Sequence, residues 1–340
     1  MEVVRRRALL GLFLLSLAAG ACGQASAPQV VVYTSEDQVF SEPILKNFEK
    51  SSGIAVRAVY DTEETKSTGV ALRIVAERDH PQADVFWGNE PLRAVMLKRE
   101  GLLQPYESPG SRDIPKRYRD PEGYWTGFAA RARVIVYNTQ QVKPGNAPSS
   151  VRDLADPRWK GRAGLANPLF GTTTTQIAAL FTLWGDQTTK TFLSAMKRND
   201  VKLVTSNGEA RDLVVAGNLA WAFADSDDAN VALEQKKPVA VVYPDQAGLG
   251  TLVMPNVVAL VRGAPHPDTA KKLVDYLLSP RVEARLAAGP AAQMPLHPGV
   301  PVPPTVKPVS AIKDMPVRFA ELGPTIDQIL PYLKDWAGAQ

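Results

Sequence analysis

Cysteine and histidine are scarce in this sequence, and their scarcity excludes two common ways of stabilising a domain. Cys22 is the only cysteine among 340 residues. A domain without a cysteine pair has no disulfide framework, so its stability depends on its hydrophobic core. The three histidines, His80, His266 and His297, each adjoin a proline, as is typical of surface turns. Histidines this scattered, together with a single cysteine, argue against a zinc site.

Long apolar segments are also missing: no apolar stretch reaches the roughly 20 residues that a membrane-spanning helix requires. The apolar stretch Ala8–Ala19 follows the basic residues Arg5–Arg7 and precedes small residues and Cys22. This order predicts a secretory signal peptide over residues 1–22. Cys22 in this position resembles the lipidated cysteine of a bacterial lipobox, followed by a linker over residues 23–29. An ordinary cleaved signal with an incidental cysteine is the alternative to lipidation at Cys22.

A strong net charge of either sign is absent as well. The formal net charge is +4, and removal of the signal takes away three arginines and one glutamate, which leaves +2. So small a charge argues against a nucleic-acid partner. Hydrophobic content of 45% and charged content of 22% are typical of a globular protein. The about 310 residues after the signal suffice for two lobes.

The common signatures of catalysis are missing too. The sequence contains no nucleophile elbow, no phosphate-binding P-loop and no metalloprotease motif. No serine, histidine and aspartate form a recognisable triad pattern. We therefore predict a binding protein and not an enzyme; an enzyme or a sensor on the same fold is kept as a further alternative.

Strand-like runs alternate with helical patterns along the chain. QVVVYT at residues 29–34 is typical of a buried parallel strand, and DVFW at residues 84–87 predicts another. A second unit of this kind covers about residues 151–242. The alternation predicts an α/β protein with mainly parallel sheets flanked by helices.

Two long strands are predicted to join these units, at residues 128–138 and 252–261. The predicted division is lobe I, residues 30–127 plus 256–340, and lobe II, residues 128–255. Seven prolines between Pro290 and Pro308 predict an extended segment without regular structure that wraps over the surface.

Four segments carry a family resemblance. They are VVVYTS at 30–35, ADVFWGNE at 83–90, GFAARARVIVYNT at 127–139 and VVAGNLAWAFADSDDAN at 214–230. In order and spacing they resemble bacterial extracellular solute-binding proteins of the ferric-ion type. The resemblance implies a two-lobed class II periplasmic-binding-protein fold that closes on a ligand, and an ABC permease as the partner. It also implies a monomer in the periplasm or at the outer face of the cytoplasmic membrane.

The resemblance leaves the cargo open. Iron-binding members of the family use adjacent tyrosines, a histidine or tyrosine in the first loop, and often a glutamate in the second. Here residues 221–225 read WAFAD, residues 35–38 read SEDQ, and only Glu63 or Glu64 matches. We predict capture of Fe3+ or another hard metal with a synergistic anion. The alternative is a small phosphonate or a phosphorylated organic anion.

An anion site is predicted where Gly171 and the threonines after it open a helix, because a helix N-terminus presents unpaired N–H groups. Simple capping by one threonine is the alternative. Arg131, on the crossing strand, is placed to grip a carboxylate or phosphate; a solvated strand face is equally compatible with its position. Further candidates follow the carboxyl ends of strands. The predicted ligand-binding or anion-binding residues are Ser35, Trp87, Asn89, Arg131, Gly171, Thr172, Thr173, Thr174, Ser206 and Asn207.

Three carboxylates crowd into four residues at Asp225, Asp227 and Asp228. Such groups repel one another unless a cation or a helix dipole neutralises them, and hard cations prefer oxygen ligands. The alternative is that they cap and begin a helix. With Glu63 from the other lobe they form the predicted metal site. The cation is cargo, and no covalent cofactor is expected.

Overall fold

The computed structural model describes residues 27–61 and 69–338. The signal segment with Cys22, and Glu63, lie outside the described residues. Within them the chain forms ten α-helices and ten β-strands. Among the described helices, none combines the length and apolar character needed to cross a membrane.

The first half of the described chain contains the following elements. They are β1 Gln29–Thr34, α1 Gln38–Ser52, β2 Ala55–Tyr60, α2 Gly69–Ala76, β3 Val85–Gly88, α3 Pro91–Arg99, β4 Leu103–Gln104, β5 Thr126–Asn138, β6 Ala163–Ala166 and α4 Gly171–Trp184. The second half contains α5 Asp186–Arg198, β7 Lys202–Val204, α6 Asn207–Val215, β8 Trp221–Asp225, α7 Ser226–Glu234, β9 Val239–Val242, β10 Val253–Val261, α8 Pro267–Leu277, α9 Pro280–Ala288 and α10 Leu322–Gly338.

The first lobe is built around β1, which is parallel to β2 on one side and to β3 on the other. Its residues Val30, Val32 and Tyr33 are buried, as the β-branched run predicts. β10 continues the sheet antiparallel to β3. The carboxyl ends of β1 and β3 therefore open towards the same edge, which is where ligands bind in sheets of this kind.

The second lobe is built around β8, which runs parallel to β6; β6 in turn is parallel to β7. All five residues of β8 are buried. Its carboxyl end delivers Asp225 directly to the start of α7. The N-termini of α4, α6 and α7 follow the ends of β6, β7 and β8, so their first turns lie near one another.

The 13-residue strand β5 joins the two lobes, and every residue in it is buried. Residues Thr126–Ala132 pair with β10, while Arg133–Asn138 pair with β8 or β9. At Gly127 a Cβ would lie 2.6 Å from the Tyr118 carbonyl oxygen, so the close approach there requires glycine. β5 carries Arg131 and Arg133 into the junction. The predicted lobe boundaries near residues 128 and 255 stay a prediction.

One local expectation is corrected. His297 is not a surface residue: it is 5% exposed, and its Nδ1 lies 2.7 Å from Glu283 Oε2. His266 is half-buried, with its Nδ1 2.9 Å from Asp84 Oδ2. His266 and Asp84 are 182 residues apart in the sequence, and His297 and Glu283 are 14 apart; adjacency to proline reveals neither contact.

The proline-rich segment between α9 and residue 309 contains no helix or strand among the described elements, as predicted. It does not lie only on the surface, however, because Gln293 is fully buried. The chain then ends in α10, which contacts helices on both sides of the junction. Asp327 pairs with Arg99 of α3 at 2.6 Å, and Trp336 Nε1 donates to the Leu193 carbonyl of α5 at 3.1 Å.

Candidate metal-binding site

A small cavity lies between the lobes, where the strand ends meet. Ten of the described residues line it: Glu36, Asp37, Asn89, Arg131, Gly171, Thr172, Asn207, Asp225, Asp227 and Asp228. They come from the loops after β1 and β3, from β5, and from the beginnings of α4, α6 and α7. The cavity measures about 20 Å3, which is room for about one water-sized guest.

Three of these acids converge at the start of α7. One carboxylate oxygen from each of Asp225, Asp227 and Asp228 lies within 4.8 Å of those of the others. Asp227 and Asp228 occupy the first turn of α7, where the helix dipole favours negative charge. Asp225 is the N-cap residue, but its side chain makes no capping hydrogen bond. Its carboxylate is directed to the cleft network instead, so capping does not account for it.

Arg131 connects the two lobes through one buried guanidinium. Its Nε donates to Asp227 Oδ2 at 2.7 Å, and its Nη2 donates to Glu36 Oε2 at 2.6 Å. The same Nη2 donates to Asn256 Oδ1 at 3.1 Å, and Nη1 donates to the Asn89 carbonyl. The donors that were predicted to grip an anion are therefore already engaged with protein oxygens, two of them carboxylates.

Arg133 forms a similar buried ion pair with Asp225. Its Nη1 donates to Asp225 Oδ1 at 2.6 Å and to Asn207 Oδ1 at 2.9 Å. The other oxygen of Asp225 accepts from Thr172 Oγ1 at 2.7 Å and from Asn207 Nδ2 at 3.0 Å. Thr173 Oγ1 accepts from Arg133 Nη2 at 3.2 Å. This network holds the carboxylate in one orientation, as a preorganised ligand would require.

A second contact between the lobes lies beside the cavity. Thr175 Oγ1 of α4 donates to Glu90 Oε2 at 2.7 Å. Glu90 also caps α3 by accepting from the backbone of Leu92 and Arg93. Burial raises the pKa of Glu90, and Arg93, Thr175 and the capped backbone groups act in the opposite direction. The hydrogen bond between Thr175 and Glu90 links α4 to the beginning of α3 across the junction.

Acidic groups outnumber basic ones around the cavity. Among the described residues, its lining contains five carboxylates and one arginine. Arg133 also pairs with Asp225, and Arg211 Nη1 lies 3.8 Å from Asp228 Oδ1. Counted over the described residues, these arginines offset part of the charge and leave the cavity net negative. Such a site favours a cation and repels an anion.

Glu36 has a perturbed pKa. Its pKa is raised to about 7: burial is the largest cause, the charges of Asp227 and Asp37 also raise it, and Arg131 acts in the opposite direction. Its Oε1 accepts from Gln293 Nε2 at 2.6 Å. The charge of the cavity therefore changes near neutral pH, because Glu36 titrates there.

The predicted residues separate into three groups. Those that line the cavity are Asn89, Arg131, Gly171, Thr172, Asn207, Asp225, Asp227 and Asp228. Ser35, Thr173 and Ser206 support the lining: Ser35 Oγ donates to Asn89, Thr173 bonds Arg133, and Ser206 caps α6. Trp87 and Thr174 do not line the cavity. Trp87 is fully buried and packs against Phe128 with ring centroids 5.5 Å apart.

Two lining acids, Glu36 and Asp37, were not predicted. They follow Ser35 in the loop directly after β1. Their position at the carboxyl end of a central strand was the available signal. The anion site expected at α4 begins at Gly171, and Phe170 provides no side-chain cap. The Thr172 hydroxyl, however, is donated to Asp225.

The lobes, the crossing strands and the cleft between them define a two-lobed binding protein. A family model described as bacterial extracellular solute-binding protein matches residues 81–311. The chain belongs to this family, whose members are exported binding proteins and not enzymes.

Two relatives carry different names. "Iron uptake protein A1" of Synechocystis is 30% identical over 88% of this chain and 84% of that protein. A "putative 2-aminoethylphosphonate-binding periplasmic protein" of Salmonella typhi is 28% identical over 83% of this chain and 82% of that protein.

Two solved structures share the fold, which confirms the predicted periplasmic-binding-protein architecture. Iron-bound HitA from Pseudomonas aeruginosa has a TM-score of 0.82 at 24% identity and covers 91% of this chain and 99% of its own. AfuA from Actinobacillus pleuropneumoniae, with fructose-6-phosphate bound, has a TM-score of 0.82 at 22% identity, and the match covers 92% of this chain and 99% of the AfuA chain. At these identities the likeness shows the fold alone.

Proposed function

We propose that this chain is the substrate-binding component of an ABC importer and that it captures Fe3+, or another hard, oxygen-preferring cation, in the interlobe cavity. The observation that carries the proposal is the convergence of Asp225, Asp227 and Asp228 with Glu36 and Asp37. Carboxylate oxygens are the ligands that hard cations prefer. Closing the lobes brings the acids of both sides around one ion.

Three further observations support a cation. The cavity is net negative even with its arginines counted. Its volume of about 20 Å3 suits an ion and not a polyatomic ligand. Several relatives are named for iron, among them the "Fe(3+)-binding periplasmic protein" of Serratia marcescens. Glu63, predicted as a ligand from the first lobe, is retained as part of this proposal.

The synergistic anion would bind at the beginning of α4. The first N–H groups of α4 have no helical partner, and Gly171 lines the cavity. An anion bound there would face the acids of α7, so it would need the cation beside it. We therefore expect an anion to bind only after the metal, with the lobes further apart than in the structure described here.

Thermal unfolding of the metal-free protein tests the proposal. A ligand that binds the folded state at about one hundred times its Kd stabilises it by about 2.7 kcal/mol. We expect ferric nitrilotriacetate to raise the Tm by several degrees, roughly 2–4 °C or more for a protein of this size. Unchanged Tm values with Fe3+, Mn2+ and Ca2+ would reject a metal cargo.

A phosphonate is the second candidate, because one group of relatives is named for 2-aminoethylphosphonate and the N-terminus of α4 borders the cavity. The phosphonate would meet the helix N-terminus while its amine meets the acids. Calorimetry with 2-aminoethylphosphonate and metal-free protein decides between the candidates. Saturable binding without metal would replace the ferric proposal.

The finer points of localisation are also proposals. We propose that Cys22 is lipidated, that the mature chain is a monomer anchored at the outer face of the cytoplasmic membrane, and that lobe II covers residues 128–255. Membrane fractionation tests the anchor. Wild-type protein is expected in the membrane fraction, and Cys22→Ala protein, if exported, in the soluble fraction. Equal distribution of the two would reject lipidation.

A further inference from the structure

A second cavity lies outside the cleft. It is lined by the segment between β4 and the start of β5, residues 105–126, and by residues 318–321 just before α10. Its volume is about 780 Å3, within the range of roughly 300–1,000 Å3 that small-molecule sites occupy. It shares no lining residue with the interlobe cavity, so the proposed metal site does not explain it.

One part of the wall is apolar. Tyr106, Phe319, Pro105 and Pro121 line the cavity. The Tyr106 hydroxyl donates to Asp275 at 3.0 Å, which fixes the ring in place. Such a surface of rings and prolines suits the flat apolar body of a small organic molecule.

Most of the acidic side chains in the cavity wall form ion pairs with lysine or arginine residues of the same protein. Lys98 Nζ lies 2.8 Å from Asp120 and 2.7 Å from Glu122. Glu321 pairs with Arg318 at 2.9 Å. Among the lining acids, only Glu107, which is exposed, has no ion pair to a described residue.

Two lining cations, in contrast, have no acidic partner among the described residues. Arg117 pairs with Asp314, but Lys116 and Arg119 form no ion pair. The Nε of Arg119 is buried and has no hydrogen-bond partner. A buried donor without a partner costs free energy, and the guanidinium that carries it belongs to a residue of the cavity wall. Arg119 is therefore the polar group of the cavity wall that would hold the charged end of a ligand.

We propose that this cavity binds a small organic carboxylate with an aromatic or other flat apolar body. The guanidinium of Arg119 pairs with the carboxylate through its fork of donors, Lys116 adds a second positive charge, and the body lies against the apolar part of the wall around Tyr106. The site is independent of the cargo cleft, and its ligand differs from the cargo in charge.

Titration of the mature protein with benzoate and phenylacetate, followed by ligand-observed NMR, tests the proposal. Saturable binding with a Kd in the millimolar range or tighter is expected. Arg119→Met should weaken it by roughly tenfold or more, and Arg119→Lys, which keeps the charge but loses the fork, by less. Arg112→Met is the matched control: Arg112 is exposed in the same segment and does not line the cavity.

Failure of this proposal is distinct from failure of the metal proposal. Asp228→Asn should leave benzoate binding unchanged, because Asp228 lines only the cleft. The absence of saturable binding by both probes would overturn the inference. So would binding that Arg119→Met and Arg112→Met leave equally intact while circular dichroism shows both variants folded.

Discussion

At the scale of single residues, the cleft is a set of carboxylates whose charges are partly offset by arginines. Arg133 holds Asp225, and Arg131 holds Asp227 and Glu36. Removing one partner of a buried pair leaves an uncompensated charge. Asp228 also lines the cavity, and in the part of the chain that the structure describes its pair with Arg211, at 3.8 Å, is longer than the 2.6–2.7 Å pairs of the other acids. A metal ion would therefore compete with a weaker arginine contact at Asp228.

Asp228→Asn should therefore weaken Fe3+ binding by roughly tenfold or more, equivalent to about 1.4 kcal/mol, with little loss of stability. Competition with nitrilotriacetate measures the affinity. Glu234→Gln is the matched control, because Glu234 lies on the same helix, is exposed, and does not line the cavity. If both variants bind iron like the wild type, Asp228 is not a ligand.

Glu36 gives the site a dependence on pH. Its folded-state pKa is raised to about 7 by burial, so the folded protein holds this proton over a range where the unfolded chain has lost it. Stability from this group is present at low pH and is lost as pH rises from about 5 to about 7. Glu36→Gln should flatten that slope in urea unfolding of the metal-free protein. An unchanged slope would show that Glu36 titrates normally.

The residues show how far sequence can predict such a site. The acid cluster at Asp225, Asp227 and Asp228 was evident because three carboxylates in four residues are unusual on any strand end. The role of Arg131 was not evident from the sequence, since its partners Glu36 and Asp227 are 95 and 96 residues away along the chain. Ion pairs that close a cleft are tertiary contacts, and no local pattern encodes them.

At the scale of elements, the N-termini of α4 and α7 meet through side chains. Thr172 Oγ1 of α4 donates to Asp225 Oδ2 at 2.7 Å, while the neighbouring Thr174 Oγ1 is buried with no hydrogen-bond partner. The two threonines therefore offer a direct comparison on one helix.

Thr172→Val should destabilise the protein by about 1–3 kcal/mol, because it removes a donor to a buried carboxylate. Thr174→Val, which replaces an unpartnered hydroxyl with a methyl group of similar size, should be neutral or slightly stabilising. Urea unfolding measures both. Equal losses would mean that the two hydroxyls have equivalent surroundings, contrary to the described network.

The elements themselves were largely predictable. Apolar β-branched runs marked β1 and the interior of β5, and the strand–helix alternation indicated parallel sheets. The burial of His297 was not predictable, because it depends on Glu283 of α9, with which it forms a 2.7 Å contact. Adjacency to proline indicates a turn but does not say whether the turn faces solvent.

At the scale of the whole molecule, Arg131 links the two lobes across the cleft. It bonds Glu36 of the first lobe and Asp227 of the second, and Thr175–Glu90 is a further bond across the junction. Two buried carboxylates that lose their shared cation repel each other. The approach of the two lobes to each other should therefore depend on this guanidinium.

Arg131→Met should open the metal-free protein, which small-angle X-ray scattering would detect as a larger radius of gyration and a lower Tm. Arg78→Met is the control, because Arg78 pairs with Glu100 on the exposed surface of the first lobe. If Arg131→Met scatters like the wild type, the lobes are held together by other contacts.

Metal analysis after equilibrium dialysis of the mature protein against ferric nitrilotriacetate decides whether the cleft binds iron. We expect about one Fe3+ per chain for the wild type and for Glu234→Gln, and clearly less when Asp227 and Asp228 are both changed to Asn, since hard cations require several oxygen ligands. A wild-type protein that retains no iron, or a double variant that retains as much as the wild type, would contradict this expectation.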